Sequence, residues 1–195
     1  MTPAATAPAA IERIAKRWTY EEYCRLTPES HDERYEIDDG DLVPMPSPTI
    51  SHQDCVLNLA TIMRAYAHEH DAGRVFLSPL DVIFEEYNTA QPDVIFVSKA
   101  RAGIVQDRGI FGAPDLVVEV ISPSSTRRDR QDKSNKYLRF QVQEYWLVNP
   151  AERSVEVRTW RADHWAVHSL ARDTGTAESL ILPGFTVDLA QVFAA

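Results

Sequence analysis

The sequence is poor in cysteine: Cys24 and Cys55 are the only two among 195 residues. Both fall in stretches of helical pattern and set no framework of spacings, which excludes a disulfide-stapled secreted scaffold and makes a reducing cytoplasm the expected compartment. Long hydrophobic runs are also missing, none approaching the roughly 18 residues needed to cross a bilayer, so no membrane partner is expected. The opening Met1-Thr2-Pro3-Ala4-Ala5-Thr6-Ala7-Pro8 has neither a basic start nor a continuous apolar stretch. It does not read as a secretory signal but as part of a flexible N-terminal tail over residues 1–17.

Positive charge is in deficit, with 20 basic against 29 acidic residues and a net charge of −9. That balance argues against a passive nucleic-acid coat, because such binding draws on Lys and Arg neutralising phosphates. Several chemistries lack their motifs. There is no Gly-rich phosphate loop, and Ser122-Pro123-Ser124-Ser125 is no Gly-x-Ser-x-Gly elbow. His164 with His168, and His68 with His70, have no cysteine or third ligand at zinc spacing. Trp146, Trp160 and Trp165 sit in strand patterns, where packing is the default over base stacking.

What is present is an ordinary globular balance, 44% hydrophobic and 25% charged, in a length that suits one domain. Positive charge concentrates in one place: Arg127, Arg128, Arg130, Lys133, Lys136 and Arg139 stand against only Asp129 and Asp132. Any nucleic-acid contact is expected to be local.

Thr19-Tyr20-Glu21-Glu22 has capping-box spacing and predicts a short helix to about Leu26. Asp39-Gly40, between Arg34-Tyr35-Glu36-Ile37-Asp38 and Asp41-Leu42-Val43, predicts a two-residue hairpin turn. Beyond a proline-marked segment, Val56, Leu59, Ala60, Met63 and Ala67 recur at helical spacing, predicting a long helix from about Ser51 to His70 closed by Gly73. Strands are expected at 74–77, 80–84 and 93–97, the first two broken by Ser78-Pro79, while 98–113 reads as loop or broken helix. Residues 115–121 are short, β-branched and almost continuously apolar, the mark of a central strand covered on both faces. Ser122 to Thr126 offer caps for a helix to about Phe140, and 144–148 resumes the sheet. Residues 154–160 and 165–168 alternate as a hairpin, and 189–193 forms a terminal amphipathic piece. The order predicts one α/β domain over 18–195: a mixed central sheet flanked by helices, with an additional β-hairpin at each end.

Glu119 is out of place in that central strand, where an ionised side chain without partners costs several kcal/mol. Asp115, four residues earlier, faces the same side of a strand. Asp93 opens another strand after proline, in Gln91-Pro92-Asp93, as Asp115 does in Ala113-Pro114-Asp115. On neighbouring strands Asp93 and Glu119 converge, and with Asp115 they make a candidate site for Mg²⁺ or Mn²⁺. Such hard cations bind one or two carboxylates and complete their shell with water and substrate phosphate. Taken singly, Asp93 or Asp115 reads better as a cap for local N–H groups; Glu119, inside its apolar run, favours function.

These stretches resemble a family. Tyr35-Glu36-Ile37-Asp38-Asp39-Gly40-Asp41-Leu42, Ser51-His52-Gln53, Pro92-Asp93-Val94-Ile95-Phe96-Val97, the run from Ala113 to Ser124, Arg128-Asp129 with Lys133 and Tyr137, and Glu144-Tyr145-Trp146-Leu147-Val148 look like the Uma2 family, formerly DUF820. The resemblance spans roughly 18–193. It implies a restriction-endonuclease-like fold of the PD-(D/E)XK class and an Mg²⁺-dependent nuclease. In that class two acids on adjacent strands hold the metal and a Lys two residues on aligns the water. Here Asp93 and Glu119 match the acids, but the Lys position holds Ile121. The family pattern offers Lys133 on the following helix instead, in a stripe with Asp129 and Tyr137, and Lys136 is the reserve. The alternative for Lys133 is an ordinary surface pair with Asp129. Glu36 matches a hairpin acid of the family and is a further catalytic candidate, with a plain pairing to Arg34 as its alternative. His52, at the start of the long helix where N–H donors favour an anion, is the fifth catalytic candidate.

The expected function is therefore a metal-dependent endonuclease acting on nucleic acid, DNA first. A homodimer is compatible with it, since a two-fold axis matches duplex symmetry. A second class stays open: a catalytically inactive nuclease fold that binds nucleic acid or another protein. A third, sugar hydrolysis by two carboxylates, would need the acids to flank an open cleft. The first two are told apart by whether Lys133 reaches Glu119.

Overall fold

The computed structural model describes residues 16–25, 34–123 and 127–194, and only the backbone of 127–129. Apart from its last two residues, the expected tail lies outside the described residues, as do the caps expected at Ser124, Ser125 and Thr126 and the side chain of Asp129.

Helix α1 (Tyr20–Tyr23) begins with the predicted capping box, Thr19 and Glu22 each satisfying the other's backbone N–H, and ends earlier than expected. Strands β1 (Arg34–Asp38) and β2 (Asp41–Met45) pair antiparallel around Asp39-Gly40. Both turn residues have positive φ, 45° and 92°, the left-handed conformation of a two-residue hairpin. Helix α2 (Ile50–Glu69) buries Val56, Leu59, Ala60, Met63 and Ala67, the five predicted positions, together with His52 and Cys55.

Strand β3 (Gly73–Leu77) follows, and then β4 (Val82–Glu85), β5 (Asn88–Ala90) and β6 (Val94–Ser98). Gly73 opens β3 instead of closing the helix. A Cβ there would lie 2.2 Å from the Val97 carbonyl oxygen, so only glycine lets β3 pair with β6 at this register. The stretch expected as loop or broken helix holds a 3₁₀ turn, Lys99–Ile104, and two short strands, β7 (Val105–Gln106) and β8 (Gly109–Phe111). Central strand β9 (Leu116–Val120) is buried at every residue. Helix α3 (Arg127–Arg139) leads to β10 (Glu144–Asn149), β11 (Ser154–Arg161), β12 (His164–Arg172), β13 (Thr176–Glu178), β14 (Thr186–Asp188) and the terminal helix α4 (Leu189–Val192).

Six strands form the central sheet in the order β12-β11-β10-β9-β6-β3. It is mixed: β9 runs parallel to β10 and antiparallel to β6. The C-terminal hairpin, β11 with β12, continues this sheet to its edge, while the N-terminal hairpin is a separate two-stranded piece. A smaller sheet, β5-β4-β8-β7, packs beside them.

Alternation along β9 sends Leu116, Val118 and Val120 to the core under α2, with Leu59, Met63 and Trp146. Val117 goes to the opposite face, with Tyr137 of α3 and Tyr145. The N-terminal hairpin docks on that second side. The Ile37 N–H donates to Thr89 Oγ1 at 2.9 Å, and Lys136 Nζ donates to the carbonyls of Ile37 (3.2 Å) and Thr89 (3.0 Å). This docking carries Glu36 of β1 to the end of the central sheet.

Candidate active site

Glu119 sits on the face of β9 that looks toward α3, 8% exposed. The register of β6 on β9, Val94 opposite Val118, places Asp93 just outside β6 as the next cross-strand neighbour of Glu119. Asp93 is fixed from two sides. Its Oδ2 accepts from the Val120 N–H at 2.7 Å and lies 3.2 Å from His52 Nε2, in the first turn of α2. The His52 ring is turned to this carboxylate, and its Nδ1 is buried without a partner among the described residues.

The Glu119 carboxylate is gripped from α3. Lys133 Nζ lies 3.0 Å from each of its oxygens, and the Tyr137 hydroxyl donates to Oε1. Lys133 and Tyr137 are one helical turn apart, so two members of the predicted stripe converge on one acid. The same Nζ is 3.4 Å from Glu36 Oε1, which also accepts the Gln91 N–H at 2.8 Å. Glu36 thus pairs with Lys133 and not with Arg34, two residues before it on β1.

Two carboxylates, Glu36 and Glu119, contact one ammonium, and Asp93 acts on it through its charge. Burial lifts the Glu119 carboxyl to about 7; Lys133 and the Tyr137 hydrogen bond draw it down, while Asp93 and Glu36 push it up. Burial opposes the charge on Lys133, but Glu119, Glu36 and Asp93 outweigh it and hold the ammonium protonated. The Tyr137 phenol is pushed well above its usual range by burial and then by Glu119, so it stays a donor. For His52, burial opposes protonation, yet the hydrogen bond to Asp93 and the charges of Asp93 and Glu119 carry its pKa above the ordinary value.

These groups line a cleft of about 670 Å³ between the N-terminal hairpin, α2 and α3. Ile121, where the Lys of the general pattern would stand, lines it too, and the ammonium arrives from the helix instead of the strand. Lys133 keeps 29% of its side chain accessible, so it is open to the cleft.

Asp115 is not brought in. It is buried at the far end of β9, where Oδ2 accepts from the Ser98 N–H at 2.8 Å and Oδ1 faces Arg101 Nη1 at 3.4 Å. It shares a strand face with Glu119, but four residues of strand span roughly 13 Å, too far for one ion. Lys136 is also set apart. Its Nζ is spent on the Ile37 and Thr89 carbonyls and on Asp38 Oδ1 at 2.9 Å. Tyr137 and Gln91 are the contributors that sequence reasoning did not assign to the site. Tyr137 had a signal, its position in the stripe; the Gln91 contact is made by backbone and leaves none.

Among the described residues, no group of three or more His, Cys, Asp and Glu side chains could hold a metal ion. The donor chemistry that remains is two hard carboxylates, Asp93 and Glu119, on adjacent strands, the number Mg²⁺ takes when water and phosphate fill the rest of its shell. The surplus of negative charge beside Lys133 suits a divalent cation, and among the described residues nothing donates to Asp93 Oδ1.

The Uma2 family model, described as "Putative restriction endonuclease", matches residues 20–190. No curated protein matches the chain. Among solved structures, a crystal structure from Anabaena variabilis ATCC 29413, described as "a putative nuclease belonging to DUF820", superposes with a TM-score of 0.73. Identity is 19%, over 90% of this chain and 97% of that one, so the likeness speaks for a shared fold.

Proposed function

The chain belongs to the Uma2 family, and from that premise we propose that the cleft is the active centre of a divalent-metal-dependent endonuclease that hydrolyses phosphodiester bonds, with DNA as the first substrate to test. The observation that carries the proposal is Lys133 Nζ at 3.0 Å from both Glu119 oxygens, on the open side of the cleft.

Asp93 and Glu119 are the residues to hold Mg²⁺ or Mn²⁺. The bound ion would polarise a phosphoryl oxygen and lower the pKa of the attacking water. The rest falls to the protein. His52 and the Val120 N–H orient Asp93, and Tyr137 orients Glu119. Glu36 keeps the Lys133 ammonium at the cleft wall, where its charge can stabilise the negative charge that builds on the phosphoryl oxygens as the water oxygen joins phosphorus and the ester bond breaks.

Plasmid cleavage in Mg²⁺ or Mn²⁺ tests this, with wild type beside Asp93→Ala, Glu119→Ala and Lys133→Ala. Wild type nicks and the variants lose the activity. No nicking by pure wild type in any metal, or equal nicking by all four, overturns the proposal.

A further inference from the structure

We infer that the strand taken into this cleft is unpaired: a single-stranded polynucleotide segment, not an intact duplex. The inference rests on the nuclease reading and names its substrate class.

The first argument is where the positive charge goes. A duplex carries one negative charge per about 1.7 Å of axis, and proteins that grip it do so with many bases along its phosphates. The cluster on α3 is the only such concentration in the sequence, and three of its described members are paired with acids of the protein itself, while Arg130 lines the cleft. Lys133 serves Glu119 and Glu36, and Lys136 serves Asp38 and two carbonyls. Arg139 binds Asp39 at 2.8 Å and Glu85 at 2.9 Å. With a net charge of −9, the chain has little positive charge to spare for the phosphates of a long duplex.

The second argument is the mixed chemistry of the cleft lining. Val43 and Leu77, 43% and 40% exposed, are among the few large hydrophobics left at the surface, and both line the cleft. Pro44, Pro46 and Pro79 continue that apolar lip. The same cleft is lined by Lys133, the acids, Arg34 and Arg130, with Glu36 directly opposite Val43 in the N-terminal hairpin. In a duplex the base faces are stacked away, and what the outside offers is sugar, phosphate and base edges set deep in the grooves. An unpaired strand offers both parts: a phosphate for the cationic side chains and a bare base face for the apolar ones.

Size agrees. A cleft of about 670 Å³ is of the order that encloses small ligands, about 300–1,000 Å³, and so suits a nucleotide or two. Specific duplex interfaces instead spread over roughly 1,000–2,500 Å² of protein surface.

The test is fluorescence anisotropy of the full chain in Ca²⁺, with a labelled single-stranded DNA, the same sequence as duplex, and the same sequence as single-stranded RNA, each over a range of salt. Single strands bind at least about ten-fold tighter than duplex. The salt dependence is that of about two phosphates, a log–log slope near −1.4. The double variant Val43→Ser, Leu77→Ser keeps the wild-type circular dichroism and melting curve and weakens single-strand binding about five- to ten-fold. RNA binding above DNA upholds the inference and assigns the sugar. Duplex binding equal to or tighter than single strand, no binding of either, or full affinity in the double variant overturns it. Single-strand preference without cleavage in Mg²⁺ or Mn²⁺ removes the nuclease reading and leaves the preference standing.

Discussion

Lys133 Nζ lies 3.0 Å from each oxygen of Glu119 although one residue is on α3 and the other on β9. The pair closes an arrangement in which the ammonium is charged, cleft-facing and held by acids it does not fully neutralise. Lys133→Met should therefore lower single-turnover cleavage by about 10²–10³-fold, the usual loss when one charge-stabilising donor is removed. Calorimetric metal affinity should hold or rise, since the variant frees both Glu119 oxygens and removes a positive charge beside the ion. Lys133→Arg should not restore the rate, because a planar guanidinium cannot occupy the place of a compact ammonium between two carboxylates. Full activity in Lys133→Met would remove this residue from the mechanism.

The charge surplus makes stability depend on pH. Folded Glu119 holds its proton to about 7, whereas an unperturbed glutamate loses it near 4.5. Between those values the folded state binds more protons than the unfolded one, so stability falls as pH rises through the window. His52, raised above its ordinary 6.5, acts in the same direction at the upper end. Urea melts of metal-free protein should show highest stability near pH 5 and a loss of at most about 3 kcal/mol by pH 8. Glu119→Gln should flatten that loss, and identical profiles for variant and wild type would contradict the assignment.

Asp115 and Lys136 should behave as structural groups. Asp115→Asn removes the charge facing Arg101, and Lys136→Met removes the donor that ties the Ile37 and Thr89 carbonyls to α3. Each should lower stability by about 1–3 kcal/mol, the cost of leaving buried partners unsatisfied. Metal affinity of the folded protein should remain within about two-fold. A loss of metal binding in Asp115→Asn would return that residue to the site.

The legible parts of this molecule are those with a local pattern. The Asp39-Gly40 turn, the buried stripe of α2 and the unbroken apolar run of β9 follow from residue type and spacing. Glu119 was conspicuous for the same reason, as an acid where only apolar side chains belong. The short strands β7 and β8 were not legible. They depend on tertiary pairing, with Ile110 opposite Val82, and not on any repeat of their own. Asp115 misled because strand parity fixes the face but not the distance along it. The basic cluster was only partly legible because a count of charges does not tell which bases a fold pairs with its own acids: Lys136 and Arg139 count as positive in the sequence and are paired with Asp38, Asp39 and Glu85 in the structure.

The central claim is that Asp93 and Glu119 together make a divalent-metal site. Isothermal titration of Mn²⁺ into the full chain tests it most directly, using wild type, Asp93→Asn, Glu119→Gln and Asp115→Asn, each checked for folding. Wild type and Asp115→Asn should take up the ion at a common site that Asp93→Asn and Glu119→Gln each lose. No Mn²⁺ uptake by wild type, or uptake unchanged when either acid is replaced, would contradict the account.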